Sequence, residues 1–359
     1  MNFFTGPEFE KPFSLEASKK EVFLMNGLNE LYNHHVNNCK EYSKFSDKLF
    51  KKLKQYKLVS DYPFLPVQIF KHLDLFSVPK NDIARIMRSS GTSSQSPSKI
   101  FLDKKTSFNQ SKVLNQIVTD FIGKTKLPFL IVDAKETISS SSSFSARSAG
   151  ILGFSRFGSE KHFLLDTDMK LNIDLLKKLA SQYKGQPVLF FGFTFMIFEY
   201  LLNTLKELKL DFDFADSILI HGGGWKKMEE LSISNKSFKS LIKKNLNFDK
   251  VFNYYGMVEQ TGSIFFECEY GHFHTSNFSE IIIRDPISHD VVEDSKEGLI
   301  QLCSLIPTSY PGQSILSEDR GRILGRDDCK CGRKGKYFEV LGRMEKAEIR
   351  GCSDTHQSS

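Results

Sequence analysis

A chain of 359 residues exceeds the usual size of one compact domain, so one large core or two fused ones are expected. Its 40% hydrophobic and 26% charged residues are ordinary for a globular protein, and the net charge of +6 comes largely from scattered lysines such as Lys51, Lys52, Lys54, Lys243 and Lys244. That excess can attract an anionic ligand, but it falls short of a nucleic-acid footprint, which needs a clustered stripe of basic and aromatic residues.

The N-terminal MNFFTGPEFEKPF has no basic segment followed by an apolar one, so no secretory signal is expected. The first sixty residues read as helical, with Val22, Met25, Leu28 and Leu31 at three-residue spacing. From Pro128 onward, β-rich runs alternate with helical ones. PFLIVDA precedes the serine run 139–143, PVLFFGFT precedes an amphipathic run over 196–208, and SILIHGGG and KVFNYYG are two more apolar runs ending in glycine. Such alternation predicts an α/β sheet with helices on its faces. After Phe265 the helical periodicity fades into SEIIIRD and GLIQLCSL, a β-rich subdomain. The longest apolar stretch, residues 187–202, is broken by Gly192, Thr194 and Glu199, which argues against a membrane span. Six cysteines are too sparse for a disulfide framework in a chain this long, so a cytoplasmic protein with reduced thiols is the simplest expectation.

RSSGTSSQSPSKIFLD, residues 88–103, is the first segment with chemistry in it. Ser89, Ser90, Gly91, Thr92, Ser93 and Ser94 offer backbone N–H groups and hydroxyl donors suited to a polyphosphate. An exposed polar linker is the alternative, and no lysine follows a glycine where a Walker A loop requires it. HGGGW sets Gly222, Gly223 and Gly224 at the end of a strand, where open α/β sheets bind ligands, or else forms a tight turn. NYYGMVEQTG carries Tyr255, Gly256 and Glu259 after another strand. A carboxylate there suits Mg²⁺, which prefers hard oxygen ligands and bridges phosphate oxygens, although a surface turn could carry the same residues.

In this order the segments resemble the adenylate-forming enzymes, whose phosphate loop is TSGTTGxPK. Ser89, Ser90, Gly91, Thr92 and Ser93 match its first five positions by identity or hydroxyl exchange, whereas Ser94 replaces the second glycine, Pro97 sits one residue late and Lys99 is displaced. SSGTSSQxPS is nearer to the acyl-protein synthetases, which supply fatty acid to the bacterial bioluminescence reductase complex. The resemblance implies that NYYGMVEQTG corresponds to the YGxTE motif, with Tyr255 stacked on adenine and Glu259 on Mg²⁺. Val258 stands where a phosphate-touching threonine is usual, leaving Thr261 as a substitute. It also implies that Asp319, in SEDRGRI, binds the ribose, and that Gly342 and Arg343 mark a hinge into a C-terminal lid. The chain ends eight residues after Gly351, so the lid is expected to be absent or reduced to a short tail, with Lys346 as the stand-in for its catalytic lysine. The expected architecture is therefore α/β: an adenylate-forming core over residues 1–264, a β-rich subdomain over 265–342 completing the nucleotide site, and a hinge remnant and tail over 343–359.

The cysteines fall into two groups. Acyl-protein synthetases carry a cysteine near the C-terminus that accepts the acyl group as a thioester, and Cys352 fits that position. Arg350 would favour its thiolate and His356 would take its proton; an inert surface thiol is the alternative. Cys268 with His274, and Cys329 with Cys331, have the look of metal-binding pairs, and relatives of the phenylacetate-CoA-ligase type carry similar ones. Converging, they would close a tetrahedral structural zinc site, with His272 as a spare ligand; apart, they are reduced core thiols. The expected activity is ATP- and Mg²⁺-dependent activation of a carboxylic acid, of the fatty type, to an acyl adenylate. Transfer to Cys352 and delivery to a partner such as a fatty-acid reductase or acyl carrier would follow. A ligase with a small-molecule acceptor such as coenzyme A, and a non-catalytic assembly partner, are the rival readings.

Overall fold

The computed structural model describes residues 3–48, 56–89, 97–139, 146–224 and 233–344. Helices Ala17–Asn38 and Lys40–Lys48 occupy the predicted N-terminal helical region. Met25, Leu28 and Leu31 are buried, but Val22 is 63% exposed. Three-residue steps drift around a helix of 3.6 residues per turn, so positions 22 and 31 point about 180° apart. Leu24, Leu28 and Leu31, spaced by four and three, make the buried stripe instead.

Strand β1 (Leu65–Pro66) is followed by the antiparallel hairpin of β2 (Ile83–Arg88) and β3 (Lys99–Asp103). Asp103 then caps helix Lys104–Ile122, its carboxylate accepting from the Thr106 N–H at 2.7 Å. The next strands are β4 (Leu127–Ala134), β5 (Gly158–Leu165), β6 (Leu189–Phe193), β7 (Ile218–Gly222), β8 (Lys250–Tyr255) and β9 (Phe265–Phe266). They form one sheet in the order β5-β4-β6-β7-β8-β9, parallel throughout except for β9. The central strands β4, β6 and β7 are buried on both faces, which is why they read as unbroken apolar runs, whereas β5 is largely exposed and β8 half-buried. Ile131, Phe191 and Ile220 enter one core with Val113 and Ile117 of helix Lys104–Ile122. Leu130, Phe190 and Leu219 enter the other, with Leu176 of helix Ile173–Gln182 and Phe238 of helix Asn235–Leu246.

The second sheet holds β10 (Phe273–His274), β11 (Ser279–Arg284), β12 (Gly298–Ser304), β13 (Ser314–Arg326) and β14 (Lys336–Arg343), antiparallel in the order β10-β14-β13-β12-β11. Hydrogen bonding crosses the division expected after residue 264, because β9 closes the first sheet against β8 and β1 adds parallel to β13. Helix Ala17–Asn38 is pinned to the second sheet by the buried Lys20, whose Nζ donates to Thr275 Oγ1 at 2.6 Å and lies 3.4 Å from Glu280. Burial pushes the Lys20 ammonium down to about 8 against the pull of Glu280. Among the described residues no helix is long and apolar enough to cross a membrane.

Candidate active site and Cys/His cluster

Three parallel strands end at one edge. Gly222 closes β7 opposite Phe193 of β6 and Tyr254 of β8. A Cβ on Gly222 would lie 2.4 Å from the Tyr254 ring, and Gly223 turns away with φ 76°, so both positions require glycine. Below them the buried His221 places Nδ1 2.9 Å from Thr194 Oγ1 and its ring against Phe238; burial pushes it down to about 3, keeping it neutral. Gly224 is exposed at the edge.

Strand alternation sends Tyr254 and Tyr255 to opposite faces. Tyr255 packs against Phe265, Phe273 and Phe338, and its hydroxyl donates to Asp319 Oδ2 at 2.7 Å, joining β8 of the first sheet to β13 of the second. Arg343 stands opposite Asp319 in the β13–β14 register, with Nε 3.5 Å from Oδ1. Burial pushes the Asp319 carboxyl above its usual range, while the Tyr255 bond and the Arg343 charge work against that shift. Burial and the Asp319 charge together hold the Tyr255 hydroxyl well above the ordinary phenol range. Gly256 follows, exposed.

Glu259 is 6% exposed, in the turn Val258–Gln260. Neighbouring groups lock this turn. Gln260 Nε2 donates to the Leu302 and Gly312 carbonyls at 2.9 and 2.8 Å, and Tyr310 Oη donates to the Glu259 carbonyl at 2.8 Å. Thr261 Oγ1 donates to the Val258 carbonyl at 2.7 Å, so the proton of its hydroxyl is already engaged. Burial pushes the Glu259 carboxyl up, and the charges of Lys71 and Arg343 draw it back. The β2–β3 hairpin carries the serine-rich loop. The Ser98 N–H donates to Ser89 Oγ at 2.9 Å and the Ser89 N–H to the Ser98 carbonyl at 3.2 Å, closing the base of the loop. Ser90, Gly91, Thr92, Ser93 and Ser94 lie outside the described residues, as do Lys346, Arg350, Cys352 and His356. Ser98, at the base of the loop, and Tyr254, packed on Gly222, were not singled out from the sequence. The register of Arg88 against Lys99, which places Ser98, exists only in the fold, whereas the two-residue strand period of NYY already separates Tyr254 from Tyr255.

Cys268, His274, Cys329 and Cys331 come together, their ligand atoms all within 4.8 Å of one another. β10 pairs with β14, setting His274 opposite Tyr337. Cys268 and Cys329 each open a turn, the Gly271 N–H donating to the Cys268 carbonyl and the Gly332 N–H to the Cys329 carbonyl, both at 2.9 Å. Sγ of Cys268 and Cys329 are 3.9 Å apart, and Cys331 Sγ is 3.3 Å from His274 Nε2. A tetrahedral ion with Zn–S bonds of about 2.3 Å has ligand-to-ligand edges of about 3.8 Å, so the spacing and donor set fit zinc. His272 lies outside this foursome, with Nδ1 3.4 Å from Cys329 Sγ and its ring stacked on Tyr337. Desolvation pushes His274 down to about 3, leaving a neutral imidazole with a lone pair to offer.

The fold is that of the adenylate-forming enzymes. 2-Hydroxyisobutyryl-CoA ligase in the postadenylation state, in complex with 2-HIB-AMP, has a TM-score of 0.73 at 17% identity, over 93% of this chain and 70% of that one. Its open conformation with 2-HIB-AMP and CoA gives 0.70 at 17% identity, over 94% and 77%. Residues 9–359 match the family model "Acyl-protein synthetase, LuxE", and the chain belongs to that family. It is also 26% identical over 162 residues to the long-chain-fatty-acid–luciferin-component ligase of Aliivibrio fischeri. That match covers 44% of this chain and 42% of the relative, less than half the length of either.

Proposed function

We propose that this protein activates a carboxylic acid, of the fatty type, with ATP and then carries the acyl group on Cys352 as a thioester. A carboxylate oxygen of the acid attacks the α-phosphorus of ATP, the bond to pyrophosphate breaks, and an acyl adenylate forms. The Cys352 sulfur then attacks the acyl carbon, the bond to AMP breaks, and His356 takes the thiol proton. The single observation that carries this reading is the Tyr255–Asp319–Arg343 cluster joining the two sheets, with the same Arg343 charge acting on the buried Glu259. Tyr255 occupies one carboxylate oxygen of Asp319, which orients the other, with Arg343, for the ribose hydroxyls. Ser89, Ser90, Gly91, Thr92, Ser93 and Ser94 hold the phosphates, and Gly222, Gly223, Gly224 and Gly256 allow the nucleotide close to the backbone. Glu259 holds Mg²⁺, which supplies positive charge against the phosphate oxygens. The acceptor from Cys352 is a protein, a fatty-acid reductase or acyl carrier, and the reaction belongs in the cytoplasm with ATP and reduced thiols.

Pyrophosphate exchange over a panel of acids of increasing chain length tests the first half. Carboxylate-dependent exchange is expected, and its absence with every acid would leave a non-catalytic role. In the same reading the Cys268, His274, Cys329 and Cys331 cluster holds a structural zinc ion, supported by edges near those of a zinc tetrahedron. Metal analysis of gently purified protein should return about one zinc per chain. None would leave four ordinary side chains.

A further inference from the structure

We propose that Cys331 is an oxidation site, and that a peroxide joins it to Cys268 in a disulfide that dismantles the Cys/His cluster. The cross-link follows from the positions of the thiols; only its effect on metal rests on the zinc reading above. The three cysteines of the cluster are unequally accessible. Cys268 and Cys329 are buried, whereas Cys331 is half-buried and opens into a surface recess of about 500 Å³ lined also by Phe121, Phe252, Glu269 and Arg333. Arg333 is fixed there, its guanidinium 3.7 Å from the Phe121 ring centre and 2.8 Å from Asp120. A small oxidant therefore meets Cys331 first.

The second sulfur is decided by position. Cys329 is two positions away along the chain, with only Lys330 between, so a bond to it would close a small strained ring, and its sulfur already has His272 Nδ1 at 3.4 Å. Cys268 stands on the other hairpin, its sulfur within 4.8 Å of that of Cys331. In the first step the Cys331 thiolate attacks the O–O bond of hydrogen peroxide, giving a sulfenic acid and hydroxide. In the second the Cys268 thiolate attacks the sulfenic sulfur and expels hydroxide. Two thiolates and one peroxide thus become one disulfide and two hydroxides. Two of four ligands are spent, and the cluster can no longer hold a metal. Cys39 and Cys303, also buried, lie outside this cluster.

Trypsin separates the three sulfurs, since cleavage after Lys250, Arg284, Arg326, Lys330 and Arg333 puts Cys268, Cys329 and Cys331 on peptides 251–284, 327–330 and 331–333. Full-length protein bearing Cys352→Ser, to silence the tail thiol, is treated with hydrogen peroxide, alkylated and mapped without reduction. Peptide 251–284 joined to 331–333 is expected, with zinc appearing in a chelating dye in step with it. Linkage of 327–330 to 331–333, or an intact Cys331 thiol once other cysteines are modified, overturns the proposal. Adding Cys331→Ser should slow oxidation of the cluster at least about tenfold; an unchanged rate overturns Cys331 as the entry point. Protein purified without zinc that still forms the cross-link would remove the zinc reading and leave this one standing.

Discussion

A thioester carrier needs a thiol that is nucleophilic and able to reach a mixed anhydride. Cys39 and Cys303 are buried in packed elements, and Cys268, Cys329 and Cys331 are gathered in the cluster. Cys352 is nine residues past Arg343, and that span extends to at most about 30 Å, enough to return to a site that includes Arg343. Cys352→Ser should therefore abolish hydroxylamine-labile labelling by radioactive acid and ATP while leaving pyrophosphate exchange largely intact. Undiminished labelling of the serine variant would favour a small-molecule acceptor. The two carboxylates are separable in the same way. Asp319→Ala should weaken ATP binding, and Glu259→Ala should slow acyl-adenylate formation more than about tenfold, over about 1.4 kcal/mol in barrier. Parental exchange rates in both variants would dismiss the site assignment.

Among the elements, the turn bearing Glu259 depends on its neighbours. Gly262 has φ 92°, and a Cβ there would meet the backbone of Gln110, in helix Lys104–Ile122, at 2.9 Å. Gly262→Ala should cost roughly 1–3 kcal/mol in strain and shift the turn that presents Glu259. Asp103→Ala is the matched control, removing the cap of the same helix for about 1 kcal/mol. Chemical denaturation should show both variants destabilised, and pyrophosphate exchange should fall further in Gly262→Ala. Equal losses of exchange would mean that the turn is not specifically coupled to catalysis. The shape of the hairpin was legible beforehand only in part. KIFLD follows the serine run, but nothing in that run says that Ser89 and Ser98 clasp each other across it.

For the whole molecule, acid should be the vulnerable side. His35 is buried, and burial with the neighbouring His34 holds it down to about 3 from an ordinary 6.5. Its Nε2–H donates to the Pro307 carbonyl at 3.2 Å and its Nδ1 accepts from Ser77 at 2.8 Å. Because the folded-state value is depressed, the contribution is fully present above pH 6.5 and is lost as pH falls toward 3. It is on the order of 4 kcal/mol. His35→Gln keeps polar partners for Ser77 and Pro307 but cannot titrate. The fall in melting temperature between pH 6.5 and 4 should therefore be shallower in this variant. An identical slope would assign acid unfolding to other groups.

Contiguous windows determined a good deal. The apolar runs in PFLIVDA, PVLFFGFT and SILIHGGG are central strands of one parallel sheet that are buried on both faces, and that demand is visible in a few consecutive residues. The glycines of HGGG, the carboxylate of MVEQ and the late cysteine each allow a bland reading in isolation, and became candidates for chemistry only through the family resemblance of the whole series. The tertiary structure decided what lies between windows. Which tyrosine of the NYYG pair meets Asp319 depends on which face of β8 turns toward β13, a packing relation across 64 residues. The convergence of Cys268 and His274 with Cys329 and Cys331 depends on two hairpins docking through β10 and β14. Helix Ala17–Asn38 shows the same divide at one position: periodicity made Val22 a core candidate, and the drift of a 3.6-residue turn put it in water. Propensity and periodicity are properties of neighbours in the chain, whereas a site built from two sheets is a property of how their apolar faces find a common core.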